Sequence, residues 1–302
     1  MTVLDEAYER LSSAWLENER GFVNHGPMAC EALSVMGLDT EVVAWADRSA
    51  QPHRAGTNRA VGSGRITDWG QSLGNFAMLE EWVGHFDRSI RESGWRDTVA
   101  VWVPRLMPSM STKLFHAMIR TAHATRSIDT VETEPRRREL AFSLGYWAAR
   151  FEPRPSASSP GVPGHGARPT QEITGEDVQR QLARIATGAA RRFVSRPDIF
   201  TLHGVTGAMA VHLLAPHVPV AAARASLDHL EVAHLSLFGD AVPTVTREAR
   251  GVDRATLAAR AADTGDVHAV KLTEAAFRAL DATGDPIFVT AAEIAAGADG
   301  PG

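Results

Sequence analysis

Apolar residues recur every three or four positions along most of the chain. Leu4, Tyr8, Leu11 and Trp15 are spaced 4, 3, 4; Leu73, Phe76, Leu79, Trp82, Phe86 and Ile90 are spaced 3, 3, 3, 4, 4; Val178, Leu182, Ile185, Ala189 and Phe193 are spaced 4, 3, 4, 4. Each series draws one apolar stripe along a helix that faces a core. Start and stop signals agree with this period. Thr174 with Asp177, and Thr290 with Glu293, have the spacing of a capping box; Pro27 suits a first helical turn and Gly37 a C-terminal stop. Two-residue alternation is nearly absent. "TVAVWV" at 98–103 is the best strand candidate, and one short β-branched run does not make a sheet. The pattern predicts an all-α fold, a single large helical domain over residues 1–302.

Two stretches depart from the pattern. Residues 152–172, "EPRPSASSPGVPGHGARPTQE", are rich in Pro, Gly, Ser and Ala with no apolar period, the composition of a flexible surface loop inserted in the domain. His165 within it is expected to be solvated. The tail at 296–302, "AGADGPG" with its neighbours, is expected to fray. From Ile199 to Ala223 there is no Asp, Glu, Lys or Arg, a length that spans a bilayer. That stretch also carries His203, His212 and His217 with Pro216 and Pro219, which are costly in lipid, so it reads as a buried helix and the chain is not expected to enter a membrane.

Composition narrows the function classes. With 302 residues, 44% of them apolar, the chain can bury a sizeable core. Thirty-one Lys plus Arg stand against thirty-six Asp plus Glu, a formal charge of −5, and the longest basic run is "RRR" at 136–138. A phosphate-neutralising surface is not visible, and nucleic acid is not an expected partner. Cys30 is the single cysteine, which excludes an intramolecular disulfide and a thiolate zinc cluster and fits a reducing, cytoplasmic setting. The N-terminus lacks the apolar stretch of a signal peptide.

The candidate chemistry lies in the twelve histidines. His25 precedes a helix; His116, His203 and His268 each sit in apolar, helical contexts. One such histidine is most simply a satisfied core residue. Four on four separate helices suit a metal site, because imidazole binds iron, zinc, copper or nickel and bundles project ligands inward from facing helices. His116 and His123 are seven apart, about 10 Å along one face, so His123 belongs to a pocket wall. His203 and His212 point roughly 180° apart, which leaves His212 to packing. HExxH, a Walker sequence and GxSxG are absent, and "VGSGRITDWG" at 61–70 lacks a surrounding βαβ pattern. A dinucleotide domain and serine hydrolase chemistry are not expected.

Five blocks carry a resemblance: "FVNHGPMACEAL", "PRLMPSMSTKLFHAMIRTAHATRS", "RRRELAFSLGYWAARFE", "IFTLHGVTGAMAVHLL" and "DVHAVKLTEAAFRAL". In this order the chain resembles the questin oxidase-like proteins, whose blocks look like NHxxxAxxAL, LFHxxIRxAHA, ELAxxLGYW, TLHxVTGxxAxxLL and HxxKLxxA. The resemblance covers most of the chain. It implies an all-helical fold, oxidative opening of anthraquinone-type rings in aromatic polyketide pathways, and a non-haem iron, Fe(II), held mainly by histidines. Carried over, it makes His25, His116, His203 and His268 the iron ligands.

Four neutral imidazoles leave the dication's charge intact, and one anionic oxygen would offset it. Lys271 serves only as a carbamate; Glu274 is an ordinary carboxylate. On an ideal helix Lys271 lies about 60° from His268 and Glu274 about 120°. If His268 stands just ahead of its helix, Glu274 turns inward, and that is the expectation. The expected reaction inserts oxygen from O2 into a phenolic or hydroquinone polyketide with ring cleavage. His123 and Arg120 are the candidate catalytic side chains, favouring a phenolate or orienting a developing anion. Trp69, Trp82, Trp102 and Trp147 are candidates to line a polycyclic pocket. The alternatives are a metal-free, NADPH-dependent Baeyer-Villiger-type oxidase and a non-catalytic polyketide-binding protein.

Overall fold

The computed structural model describes residues 1–18, 20–53, 62–63, 65–154 and 174–297. Most of the inserted loop at 152–172, including His165, and most of the tail at 296–302 lie outside the described residues. Among the described residues the protein is all-α. Its helices are α1 (Val3–Leu11), α2 (Gly26–Val35), α3 (Asp39–Ala50), α4 (Trp69–Ser72), α5 (Leu79–Ser93), α6 (Trp95–Leu106), α7 (His116–Thr130), α8 (Glu134–Ala149), α9 (Gly175–Ser195), α10 (Ile199–Leu214), α11 (Val220–Phe238), α12 (Arg254–Asp263), α13 (Val267–Thr283) and α14 (Ile287–Ala295). The one β-type pairing among them is an isolated bridge, Glu17 with Val23.

Several local signals act as their chemistry dictates. Thr174 and Asp177 form the capping box that opens α9, and Thr2 with Asp5 forms another at α1. Pro27 occupies the first turn of α2, and Gly37 follows it at φ +80°, a conformation that favours glycine. The discounted strand candidate is a helix, and two other expectations are corrected. The strand candidate at 98–103 is helical within α6, where Val99, Trp102, Val103 and Leu106 face the core at helical spacing while Val101 points outward. The long stripe from Leu73 to Ile90 is not one helix: Leu73 follows the end of α4, Gly74 turns the chain at φ +76°, and the rest divides between a 3-10 turn at Phe76–Met78 and α5. Thr290 is not a cap: α14 begins at Ile287, and Glu293 instead accepts the backbone N–H groups of Arg250 and Val252.

The main core spreads over α5 to α14, with a second apolar cluster joining α1, α2 and α3. Close helix approach depends on small residues. A Cβ at Gly145 of α8 would lie 2.7 Å from the Val83 side chain of α5, so the α5–α8 contact requires glycine there. The charge-free helix α10 is a core element that packs on α7, α9, α11 and α13. Within this assembly α2 packs on α7, α7 on α10, α10 on α13 and α13 on α2. These four helices close a ring.

Candidate metal centre

Each helix of the ring brings one histidine to the same point. His25 is the residue before α2, His116 opens α7, His203 lies in the second turn of α10 and His268 is the second residue of α13. One ligand atom from each lies within 4.8 Å of all the others. The Nε2 atoms of His25 and His116 are 2.6 Å apart, and those of His203 and His116 are 3.0 Å apart.

The ring orientations are set from behind. His116 Nδ1 donates to the Lys113 carbonyl, His203 Nδ1 donates to the Ile199 carbonyl at 2.6 Å, and His268 Nδ1 donates to Asp266 Oδ1 at 3.1 Å. With the proton held on Nδ1, His116 and His203 turn bare Nε2 lone pairs toward each other, and His268 is left with Nε2 as its free ring nitrogen. A second proton on any of the rings is disfavoured. Burial first, then Lys271, holds His116 down at about 3; burial, then His116 and Lys271, holds His203 well below its ordinary range; burial, then Lys271, does the same for His25. Burial also lowers His268, offset in part by Asp266. The bare Nε2 atoms of His116 and His203 converge with no hydrogen between them, an arrangement that a bound cation turns from repulsive to attractive.

The carbonyl behind His116 comes from an unusual turn. Lys113, Leu114 and Phe115 are consecutive non-glycine residues at φ 52°, 52° and 64°, a left-handed geometry that costs on the order of 1 kcal/mol per residue. Phe115 is fully buried and wedged against Gly207 of α10, where a Cβ would come within 2.9 Å of its ring. Gly207→Ala is therefore expected to push Phe115, and the His116 turn with it, lowering stability by about 1–3 kcal/mol. A denaturant titration of the two proteins measures this; an unchanged midpoint means that Phe115 does not hold the turn.

Lys271 and Glu274 part company. Lys271 is fully buried, its Nζ has no hydrogen-bond partner, and its charge acts on all four imidazoles. Burial pushes it down to about 7. Glu274 does not join the cluster, which corrects the expectation of a carboxylate ligand. Helix α13 already begins at Val267, so His268 obeys the helical angle and Glu274 lies on another face. Its carboxylate pairs with Arg126 and, at 2.9 Å, with Arg278.

The catalytic candidates are also engaged elsewhere. His123 Nδ1 is 2.6 Å from Glu31, and Arg126 Nη2 reaches the same carboxylate at 2.5 Å. His123, Glu31, Arg126, Glu274 and Arg278 thus form one buried ionic layer across α2, α7 and α13, roughly 10 Å along the ring from the histidine cluster. Arg120 holds Glu139 through two hydrogen bonds of 2.6 and 2.8 Å. Its third nitrogen, Nη1, is buried without a hydrogen-bond partner. Trp82 and Trp102 pack on each other and on Phe86, Trp69 meets Trp102 edge to face beside Arg105, and Trp147 donates to Ser109 Oγ. Of these four tryptophans, Trp69 is the exposed one. Asp266 went unnoticed in the sequence, although "DVH" at 266–268 places an N-cap carboxylate beside His268; its Oδ1 accepts both the backbone N–H and the ring of His268.

All four histidines stand at or near the N-terminal ends of their helices. Each such end carries roughly half a positive charge, and the ends of α10 and α13 are already capped by Asp198 and Asp266. With Lys271 beside them, the surroundings of the cluster favour an anion. In comparisons with known proteins, the chain matches no family model and no curated protein.

Proposed function

We propose that the protein is a non-haem iron oxygenase that opens a ring of a polycyclic aromatic polyketide, of anthraquinone or hydroquinone type, with O2. The observation that carries the metal reading is the pair of bare Nε2 atoms of His116 and His203, 3.0 Å apart and each back-bonded to a carbonyl. Four imidazoles suit Fe(II) as well as zinc, copper or nickel, and the choice of iron rests on the five sequence blocks. Iron supplies the one-electron route to dioxygen that side chains lack.

The residues of this chain divide the remaining work. His25, His116, His203 and His268 hold the metal. Lys113, Ile199 and Asp266 fix three of the rings through Nδ1. Lys271 supplies the missing anion as a carbamate: the lone pair of its neutral amine forms a bond to the carbon of CO2, a proton leaves, and a buried unpartnered amine becomes an anionic oxygen donor. Its place among four helix N-termini favours that charge. The electropositive end of the ring also favours a phenolic substrate as its phenolate.

The test is reconstitution followed by turnover. Protein loaded with Fe(II) under anaerobic conditions is expected to retain about one iron per chain, as four donors on one centre require, and to incorporate isotopically labelled dioxygen into an added anthraquinone or its hydroquinone. Activity retained without any transition metal removes the iron reading. Iron uptake with no oxygen incorporated across a panel of such substrates removes the oxygenase reading and leaves a metal-binding protein.

A further inference from the structure

The four helices of the ring run in the same direction, from the histidines at their N-terminal ends to a cleft at the other end. Val35 and Met36 from the end of α2, Arg126 of α7, His212 of α10 and Phe277 of α13 all line it. Counted along α7 from His116 to Arg126, the cleft lies roughly 15 Å from the histidine cluster, with the buried ionic layer between them. Its volume is about 730 Å³, and a neighbouring cleft of about 650 Å³ shares His212 and Ala282 with it. Single ligand sites fall in this range.

The chemistry of the walls selects the occupant. Arg126 is held by Glu31 and Glu274, Arg278 by Glu274 and the Met209 carbonyl, and Arg254 by Asp281. No guanidinium on the wall is left to receive an anion. Phe277, Met36 and Val35 supply apolar surface, and Val35 is half exposed at 53%. His212 makes no hydrogen bond with any described residue and lines both clefts. Burial, followed by Arg278, lowers it to about 4, so near neutral pH it offers one donor and one acceptor without charge.

We propose that this cleft is a second small-molecule site, separate from the histidine cluster, which takes an uncharged planar aromatic compound and hydrogen-bonds its hydroxyl or carbonyl through His212. The site stands on the cleft and its paired charges, and does not depend on which metal the histidines hold.

The probe is 2-naphthol, titrated calorimetrically into the intact protein, with 2-naphthoate as its charged counterpart. One 2-naphthol per chain is expected, with 2-naphthoate at least about tenfold weaker, since desolvating a carboxylate against paired arginines gains nothing. Ala282→Trp, at an exposed position on the shared rim, is expected to weaken binding about tenfold or more while leaving metal content unchanged. His212→Phe should weaken it about fivefold, one hydrogen bond's worth. Equal binding by the parent and both variants overturns the proposal, as does no binding to the parent. Loss of 2-naphthol binding on His116→Ala but not on Ala282→Trp places the ligand at the histidines and overturns it too. Equal affinity for the two probes refutes the selection for an uncharged ligand.

Discussion

His203→Ala is expected to lower metal affinity on the order of 100-fold or more, a larger loss than the tenfold to 100-fold typical of an outer partner of a ligand. His203 is fully buried, its Nε2 lies 3.0 Å from that of His116, and its Nδ1 is committed to the Ile199 carbonyl. Its neighbours along α10, Leu202, Gly204 and Val205, carry no donor that could replace it. His212→Ala is the control on the same helix. It lies nine residues on, lines the far clefts, and should keep the full metal complement. Anaerobic titration with Fe(II) or Co(II), followed by metal analysis after desalting, reads both variants. A His203→Ala protein that retains metal while His212→Ala loses it would mean that the ligand faces are wrongly assigned.

Much of this centre was legible before any coordinates. The four histidines meet in space because each stands at or near the N-terminal end of one of four helices that pack in a ring, with His116 and His203 buried in the core and His25 and His268 partly buried beside them. The separation of His203 from His212 and of His116 from His123 followed from the helical angle and rise alone. The anionic partner was misread for a local reason: the start of α13 decides which way Glu274 points, and helix boundaries are what sequence patterns place least well. The Asp266 cap, two residues before His268, was the signal that fixes that boundary.

Other features left no readable trace. Glu31, Arg126 and Glu274 look like ordinary surface charges in sequence, and only the packing of α2, α7 and α13 reveals that they are buried and neutralise one another. The left-handed turn at Lys113, Leu114 and Phe115 contains no glycine or asparagine to announce it. It exists because burial of Phe115 against Gly207 outweighs the backbone cost. The common direction of α2, α7, α10 and α13 is likewise a property of the connections between them, and those run through other helices.

That common direction bears on the second large effect, at Lys271. An unpartnered amine beside four helix N-termini and four imidazoles is a poor contributor to the stability of the metal-free protein, and Lys271→Met removes it while keeping a similar flexible volume. Without metal, the Met variant is expected to be more stable by about 1–3 kcal/mol, the cost of an unsatisfied buried polar group. With metal the sign reverses. Loss of a carbamate donor should lower iron affinity by at least about tenfold, and the parent, but not the variant, should bind more weakly in CO2-free buffer and recover on adding bicarbonate. A short carboxylic acid is expected to restore part of the affinity to Lys271→Ala by filling the vacated position. Glu274→Gln should do the opposite of Lys271→Met: metal uptake intact, stability lower by about 3–5 kcal/mol because Arg126 and Arg278 lose their charged partner in a buried layer. Thermal melts with and without metal, read beside anaerobic iron titrations, separate these cases. If Lys271→Met binds iron as tightly as the parent and bicarbonate changes neither, the centre is held by four histidines alone, and the positive helix ends are left to be met by the substrate's own phenolate.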